Sequence, residues 1–144
     1  MSIVGSWFVN IRQVRAEWLV QDRLRRQEIY KDFMEAASKC YAEALEHDKQ
    51  ELSSLAVLYG ILGRMRVTSS SDVVAAGDRV MRDITETYFR PNVTPSRDAI
   101  ASLFRDERMD ITRQFSEACR AELESLRMQQ FRPLPPARPG RRTG

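Results

Sequence analysis

The chain has 144 residues, of which 42% are hydrophobic and 30% charged. This length and composition exclude a multidomain protein and a disordered one, because they are typical of one domain with one core. The net charge of +3 resides at the two ends, since residues 12–31 and 132–144 are basic while residues 32–131 are acidic. Nucleic-acid binding is therefore disfavoured, because it requires cations gathered on one surface.

The N-terminal segment, residues 3–20, combines apolar and basic residues at helical spacing. Its apolar face is predicted to hold five candidate binding residues: Trp7, Phe8, Ile11, Val14 and Trp18. Tryptophan on the apolar face and arginine on the polar face are typical of a helix that lies at a membrane surface. The same stripe also suits packing on a partner helix, or on its own copy as in a coiled coil, and these alternatives stay open.

The apolar part of this segment is too short for a transmembrane helix, which needs about 20 apolar residues. A secretory signal is disfavoured as well, because no basic region precedes the apolar part and no cleavage site follows it. The two cysteines lie far apart in the sequence and suggest no disulfide framework. A cytoplasmic protein, at the inner face of a membrane, is expected.

Amphipathic helical patterns fill most of the chain, and strand-like alternation is not sustained anywhere in the sequence. The predicted helices cover about residues 25–46, 52–66, 72–89, 95–104 and 111–131. The first reaches about 65 Å if it begins at Ile3. A break is expected at residues 105–110, where the run RDERMD interrupts the apolar pattern.

Helices joined by short connections pack antiparallel, so the sequence predicts an all-α, up-down antiparallel bundle of three to four helices. Residues 1–28 are expected to form a projecting amphipathic helix, and residues 29–131 the bundle. Residues 132–144 are expected to form a disordered tail, because they are rich in proline and arginine and have no apolar periodicity.

The predicted core consists of the apolar residues that repeat at helical spacing. They are Tyr30, Phe33, Ala37, Tyr41 and Ala44; Leu55, Tyr59 and Leu62, with Leu58, Ile61 and Met65 beside them; Val73, Gly77, Val80, Ile84 and Tyr88; and Ile111, Phe115, Cys119, Leu123 and Leu126. Gly60 and Gly63 lie within the second stripe, where we expect them to allow a close approach between helices. Glu122 lies beside a stripe and is interpreted as an ordinary edge residue.

The sequence shows no pattern of catalytic or metal-binding residues. His47, the single histidine, is expected in water at a helix C-terminus, where it interacts favourably with the helix dipole. Cys40 and Cys119 have no nearby cysteine or histidine at zinc-site spacing and are predicted to be core residues. We therefore expect no enzyme activity, no cofactor and no metal. An enzyme with an unrecognised site between helices is the lesser alternative.

Three stretches resemble a group of uncharacterised small bacterial proteins: RAEWLVQDRLRRQEIYKDFMEAASKCYAEAL, RMRVTSSSDVV and FSEACRAELESLR. The resemblance implies a single N-terminal membrane-spanning helix, a basic juxtamembrane helix and a cytoplasmic helical bundle, but no activity. This chain departs from the group because only residues 3–9 correspond to the spanning helix. Either the anchor is lost, or the start of the protein lies upstream of Met1.

These observations together predict a non-enzymatic helical interaction module at the cytoplasmic face of a membrane. Its contact with the membrane surface, or with a partner helix, is expected through residues 3–20. The alternative is a cytosolic homo-oligomer that assembles through the same N-terminal stripe.

Overall fold

A computed structural model gives the fold of the chain. It describes residues 3–46, 52–90 and 110–133, and within the first range the side chains of residues 9–45. This part of the chain contains four α-helices and no strand: α1 (Ile3–Glu46), α2 (Leu52–Thr68), α3 (Ser71–Phe89) and α4 (Arg113–Gln130). The predicted all-α fold is confirmed.

Several predicted features lie outside the described residues. They are His47, the helix at residues 95–104, the break that follows it up to residue 109, and the tail from residue 134 onward. The division of the chain into three regions stays a prediction.

The helices alternate in direction along the bundle. Asp32 of α1 lies beside Arg64 of α2. Glu43, farther along α1, lies beside Ser54, nearer the start of α2, so these two helices are antiparallel. Both α1 and α3 contact each of the three other helices, whereas α2 and α4 flank this central pair.

The core lies where the four helices meet. Phe33 and Phe115 are fully buried, and their ring centroids lie 4.6 Å apart, which joins α1 to α4. The stripe predicted on α3 is confirmed throughout, since its five residues are all buried. Both predicted core cysteines, Cys40 and Cys119, are buried as well.

On α2 one predicted core residue, Tyr59 at the centre of the stripe, is wrong. Tyr59 is 54% exposed, whereas Leu58, Ile61 and Met65 are buried together with Leu62. The reason is that α2 packs against both α1 and α3, so it buries the face beside the one that spacing alone favours. The ring of Tyr59 lies at the surface, 5.5 Å from the guanidinium carbon of Arg66.

The close approach between helices is also misplaced by the sequence prediction. A Cβ atom added at Gly60 or Gly63 would meet no atom within 4 Å, so neither glycine serves a close approach. A Cβ atom at Gly77 would instead lie 2.9 Å from Leu62 Cδ1 and 3.3 Å from Met65 Cε. Gly77 is therefore the residue that lets α3 approach α2.

The helix α1 is much longer than its neighbours. Its 44 residues extend about 66 Å at 1.5 Å per residue, against about 25 to 29 Å for α2, α3 and α4. Beyond the turn that joins α2 to α3, α4 is the one other described helix that accompanies α1, with Gln129 and Gln130 beside Ala16 and Leu19. The predicted long N-terminal helix is confirmed, and its front half projects past α2 and α3.

Candidate functional site

The candidate binding surface predicted from the sequence lies on the projecting half of α1. Ile11, Val14 and Trp18 are 45%, 61% and 65% exposed there. With Asn10 and Arg15 they line one shallow groove of about 480 Å³. The structure thus brings these three predicted residues together on the surface, and we call Ile11, Val14 and Trp18 the α1 stripe. Trp7 and Phe8 lie outside the part of the chain whose side chains are described.

The α1 stripe is exposed because α2 is too short to cover it. Val14 precedes Asp32 by eighteen residues, which is five helical turns, so both residues lie on the same side of α1. On that side Asp32 faces Arg64 of α2. Because α2 ends at Thr68, only four residues after Arg64, it does not reach the level of Val14 on this side of α1.

Basic side chains line the two grooves on the projecting half of α1. Arg15 borders the stripe, and Arg12 and Arg15 share a smaller groove with Arg132, just after α4. Among the described residues, no acidic side chain lines either groove. Exposed Met128 and Phe131 lie at the same end of the molecule and add further apolar surface.

A polar cluster joins the helices at the base of the projecting half. The side chain of Glu122 is only 7% exposed, and its Oε1 accepts hydrogen bonds from Arg26 Nη1 at 2.7 Å and from the Ser70 backbone N–H at 2.5 Å. Its Oε2 accepts a hydrogen bond from the Tyr30 hydroxyl. Arg26 also donates to Asp22 at 3.0 Å. These contacts, here called the Glu122 cluster, connect α1 and α4 to the start of α3.

Burial and the charges of the Glu122 cluster shift the pKa values of Tyr30, Cys119 and Arg26. Burial, and then the hydrogen bond to Glu122, raises the pKa of Tyr30 above its usual value. Burial and the charge of Glu122 raise the pKa of Cys119 to about 12. Burial lowers the pKa of Arg26, but the carboxylates of Glu122 and Asp22 outweigh this effect and raise it. The phenol and the thiol therefore stay neutral at pH 7, which suits a structural role better than a nucleophilic one.

The Glu122 cluster is not predicted from the sequence, because the position of Glu122 beside an apolar stripe is typical of an ordinary edge residue. A signal was present on α1, where Asp22, Arg26 and Tyr30 follow one another at intervals of four residues. This spacing places the two charged residues on the face that carries the core stripe. Charged residues in such positions indicate a buried ion pair at the end of the apolar core.

A second carboxylate cluster lies farther along α1. Glu43 accepts hydrogen bonds from Ser54 at 3.2 Å and from Tyr88 at 3.4 Å, so it connects α1 to α2 and α3. Burial and the charge of Glu43 raise the pKa of Cys40. Neither cluster forms a metal site: within the described ranges, no group of three or more His, Cys, Asp and Glu residues is arranged to hold an ion.

The described helices also include none with the length and apolar character that crossing a bilayer requires. Comparisons of the chain with models of protein families, with curated proteins and with solved structures gave no match. The α1 stripe, with the basic side chains that line its grooves, is therefore the candidate binding surface.

Proposed function

We propose that the protein is a non-enzymatic helical interaction module that attaches to the cytoplasmic face of a membrane through the front half of α1. The observation that carries this proposal is the exposed α1 stripe, left bare where α2 ends. An apolar surface of this kind gains about 25 cal/mol per Å² when it is removed from water. Contiguous exposed apolar residues with a polar rim are typical of interaction sites.

An anionic lipid surface suits the chemistry of this site. The indole ring of Trp18 is amphipathic and favours the boundary between lipid head groups and acyl chains. Arg12 and Arg15 can contact phosphate groups, and each basic residue near an anionic surface contributes about 1 kcal/mol. The resemblance to proteins with a basic juxtamembrane helix supports the same location.

Vesicle co-sedimentation tests this proposal. The full chain is mixed with vesicles of phosphatidylserine and phosphatidylcholine, and with vesicles of phosphatidylcholine alone. We expect the wild type in the pellet of the anionic vesicles, and we expect Val14→Glu/Trp18→Glu in the supernatant. The matched control is Val57→Glu/Val67→Glu, because these two valines of α2 are also exposed, at 60% and 86%. Equal recovery of the wild type and the stripe variant in the pellet would exclude membrane attachment through the stripe.

Self-association through the same surface is the second candidate. Met128 and Phe131 are 67% and 73% exposed at the end of the molecule that carries the α1 stripe, so a second copy has apolar residues of two helices to contact. Light scattering across micromolar concentrations separates the candidates. A dimer that Val14→Glu/Trp18→Glu converts to a monomer, together with no vesicle binding, would favour self-association. A strict monomer excludes it.

A further inference from the structure

A second groove runs between α1 and α4, away from the α1 stripe. Tyr30, Met34 and Leu123 give it an apolar floor, and its volume is about 680 Å³. It extends along α1 from Arg23 to Met34, which is about 17 Å at 1.5 Å per residue. The groove therefore has the length of about three helical turns.

The rims of this groove carry four basic side chains and one acidic side chain. Arg23 and Lys31 lie on the α1 rim, Arg120 and Arg127 on the α4 rim, and Glu124 is the acid. Within the described part of the chain none of the four cations forms an ion pair. The Nε atom of Arg23 is buried there without a hydrogen-bond partner. The groove thus offers unneutralised positive charge on both sides of an apolar floor.

The spacing of these cations matches the repeat of a helix. Arg23 and Lys31 are eight residues apart, and Arg120 and Arg127 are seven apart, so each pair spans about two helical turns. Ser116 of α4 lies beside Met34 of α1, whereas Glu122 lies beside Arg26, so the two helices are antiparallel. Arg23 therefore lies across the groove from Arg127, and Lys31 lies across from Arg120. A helix in the groove would therefore meet cations at two levels, two turns apart.

We propose that this groove binds an amphipathic helix of a partner protein, with an apolar ridge on the floor and acidic residues two turns apart along its flanks. The groove follows the axes of two helices and carries charge at helical intervals, which favours a helix over a lipid head group. Charge complementarity would fix the register and orientation of the partner.

This site is separate from the α1 stripe. Gln27, which lines the groove, follows Trp18 by nine residues, or two and a half turns, so the two surfaces lie on opposite sides of α1. A membrane on the stripe leaves the groove open to a partner. The inference stands on the groove alone and does not depend on membrane attachment.

Fluorescence anisotropy with labelled peptides tests the inference on the full chain without lipid. The probes are three 18-residue helical peptides that share one leucine ridge and differ only in the residues flanking it, which are all Glu, all Gln or all Lys. We expect saturable binding of the Glu peptide and at least about tenfold weaker binding of the Gln peptide, since several ion pairs are lost. The Lys peptide should not bind.

The test variant is Arg120→Glu/Arg127→Glu, because both arginines are exposed and their replacement leaves the core intact. This variant should bind the Glu peptide about tenfold more weakly than the wild type, or weaker still. The control Arg25→Glu/Arg82→Glu changes the net charge equally at exposed sites outside the groove. Equal weakening in both variants, or equal affinity for the three peptides, overturns the proposal. Loss of anionic vesicle binding in the test variant, without peptide binding by the wild type, would assign the groove to lipid instead.

Discussion

At the scale of single residues, Glu122 connects three elements of the molecule. Its carboxylate accepts hydrogen bonds from Arg26 and Tyr30 of α1 and from the backbone of Ser70, immediately before α3. The side chain of Ser70 makes no capping hydrogen bond to α3. The negative charge of Glu122 lies at the N-terminus of this helix, where it interacts favourably with the helix dipole. The side chain of Glu122 is only 7% exposed, so water could not readily replace this acceptor for the three donors if it were removed.

Replacing Glu122 with alanine should lower the free energy of unfolding by about 3 kcal/mol. The variant loses one of the two carboxylates that pair with partly buried Arg26, and it leaves the Tyr30 hydroxyl and the Ser70 N–H without this acceptor. Glu122→Gln should cost less, because an acceptor oxygen remains. Urea denaturation followed by circular dichroism measures both effects. Glu124→Ala is the matched control, because Glu124 is exposed on the same helix and should change stability by less than about 0.5 kcal/mol. Equal effects at the two positions would contradict a central role for Glu122.

The stability of the protein should fall at alkaline pH because of Cys119. Its pKa is raised to about 12 from the ordinary value of 9.0. Between these values the unfolded chain loses the thiol proton while the folded chain keeps it. The unfolded state then binds fewer protons, so the free energy of unfolding decreases as the pH rises. Below about pH 9 this contribution is fully present.

Urea denaturation at about pH 8 and about pH 10 should therefore show a lower midpoint at the higher pH. Cys119→Ala should reduce this difference, even though the variant is less stable at both pH values because a buried side chain is truncated. An unchanged difference between the two pH values in the variant would show that the thiol of Cys119 does not contribute.

At the scale of elements, the packing of α2 against α3 depends on the position of the glycine residues in the two helices. Gly77 faces the fully buried ends of Leu62 and Met65, whereas Gly60 and Gly63 face open space. A helix with glycine at an interior position is less stable than the same helix with alanine by about 1 kcal/mol, unless packing leaves no room for a side chain. The three glycines should therefore respond differently to the same substitution.

Gly63→Ala should raise the free energy of unfolding by about 0.5 to 1 kcal/mol, because it reduces the flexibility of the unfolded chain and meets no neighbour. Gly77→Ala should lower the free energy of unfolding by about 1 kcal/mol, since overpacking outweighs the gain in helix propensity. Thermal denaturation of the two variants beside the wild type measures the difference. Stabilisation of equal size in both would show that Leu62 and Met65 move aside at little cost.

At the scale of the whole molecule, the two halves of α1 have different surroundings. The C-terminal half of α1 lies in the core, with Phe33 and Ala37 fully buried, while the front half carries the exposed stripe. The Glu122 cluster lies near the boundary between the two halves, because Arg26 and Asp22 take part in it. The exposed apolar stripe therefore lies on the same helix whose other half is part of the core.

Removing residues 1–10 should leave the free energy of unfolding within about 0.5 kcal/mol of the full chain, because Val9 and Asn10 are exposed. Removing residues 1–26 should lower it by about 3 kcal/mol, since Arg26 and Asp22 leave the Glu122 cluster. Chemical denaturation of the two truncated chains measures the contrast. A large loss on the shorter truncation would mean that the front of α1 belongs to the folded core.

The sequence by itself determined the helical class, the long first helix and the core stripe of α3, because helical periodicity is a local property of the chain. It also placed Ile11, Val14 and Trp18 on one face. Local spacing does not say which neighbour covers a face or where that cover ends. Only the tertiary structure decided that α2 ends before it reaches the level of Val14 on α1. It also decided that Gly77 rather than Gly63 allows close packing, and that Glu122 joins three helices. Each of these depends on contacts between residues far apart in the chain, which no local pattern records.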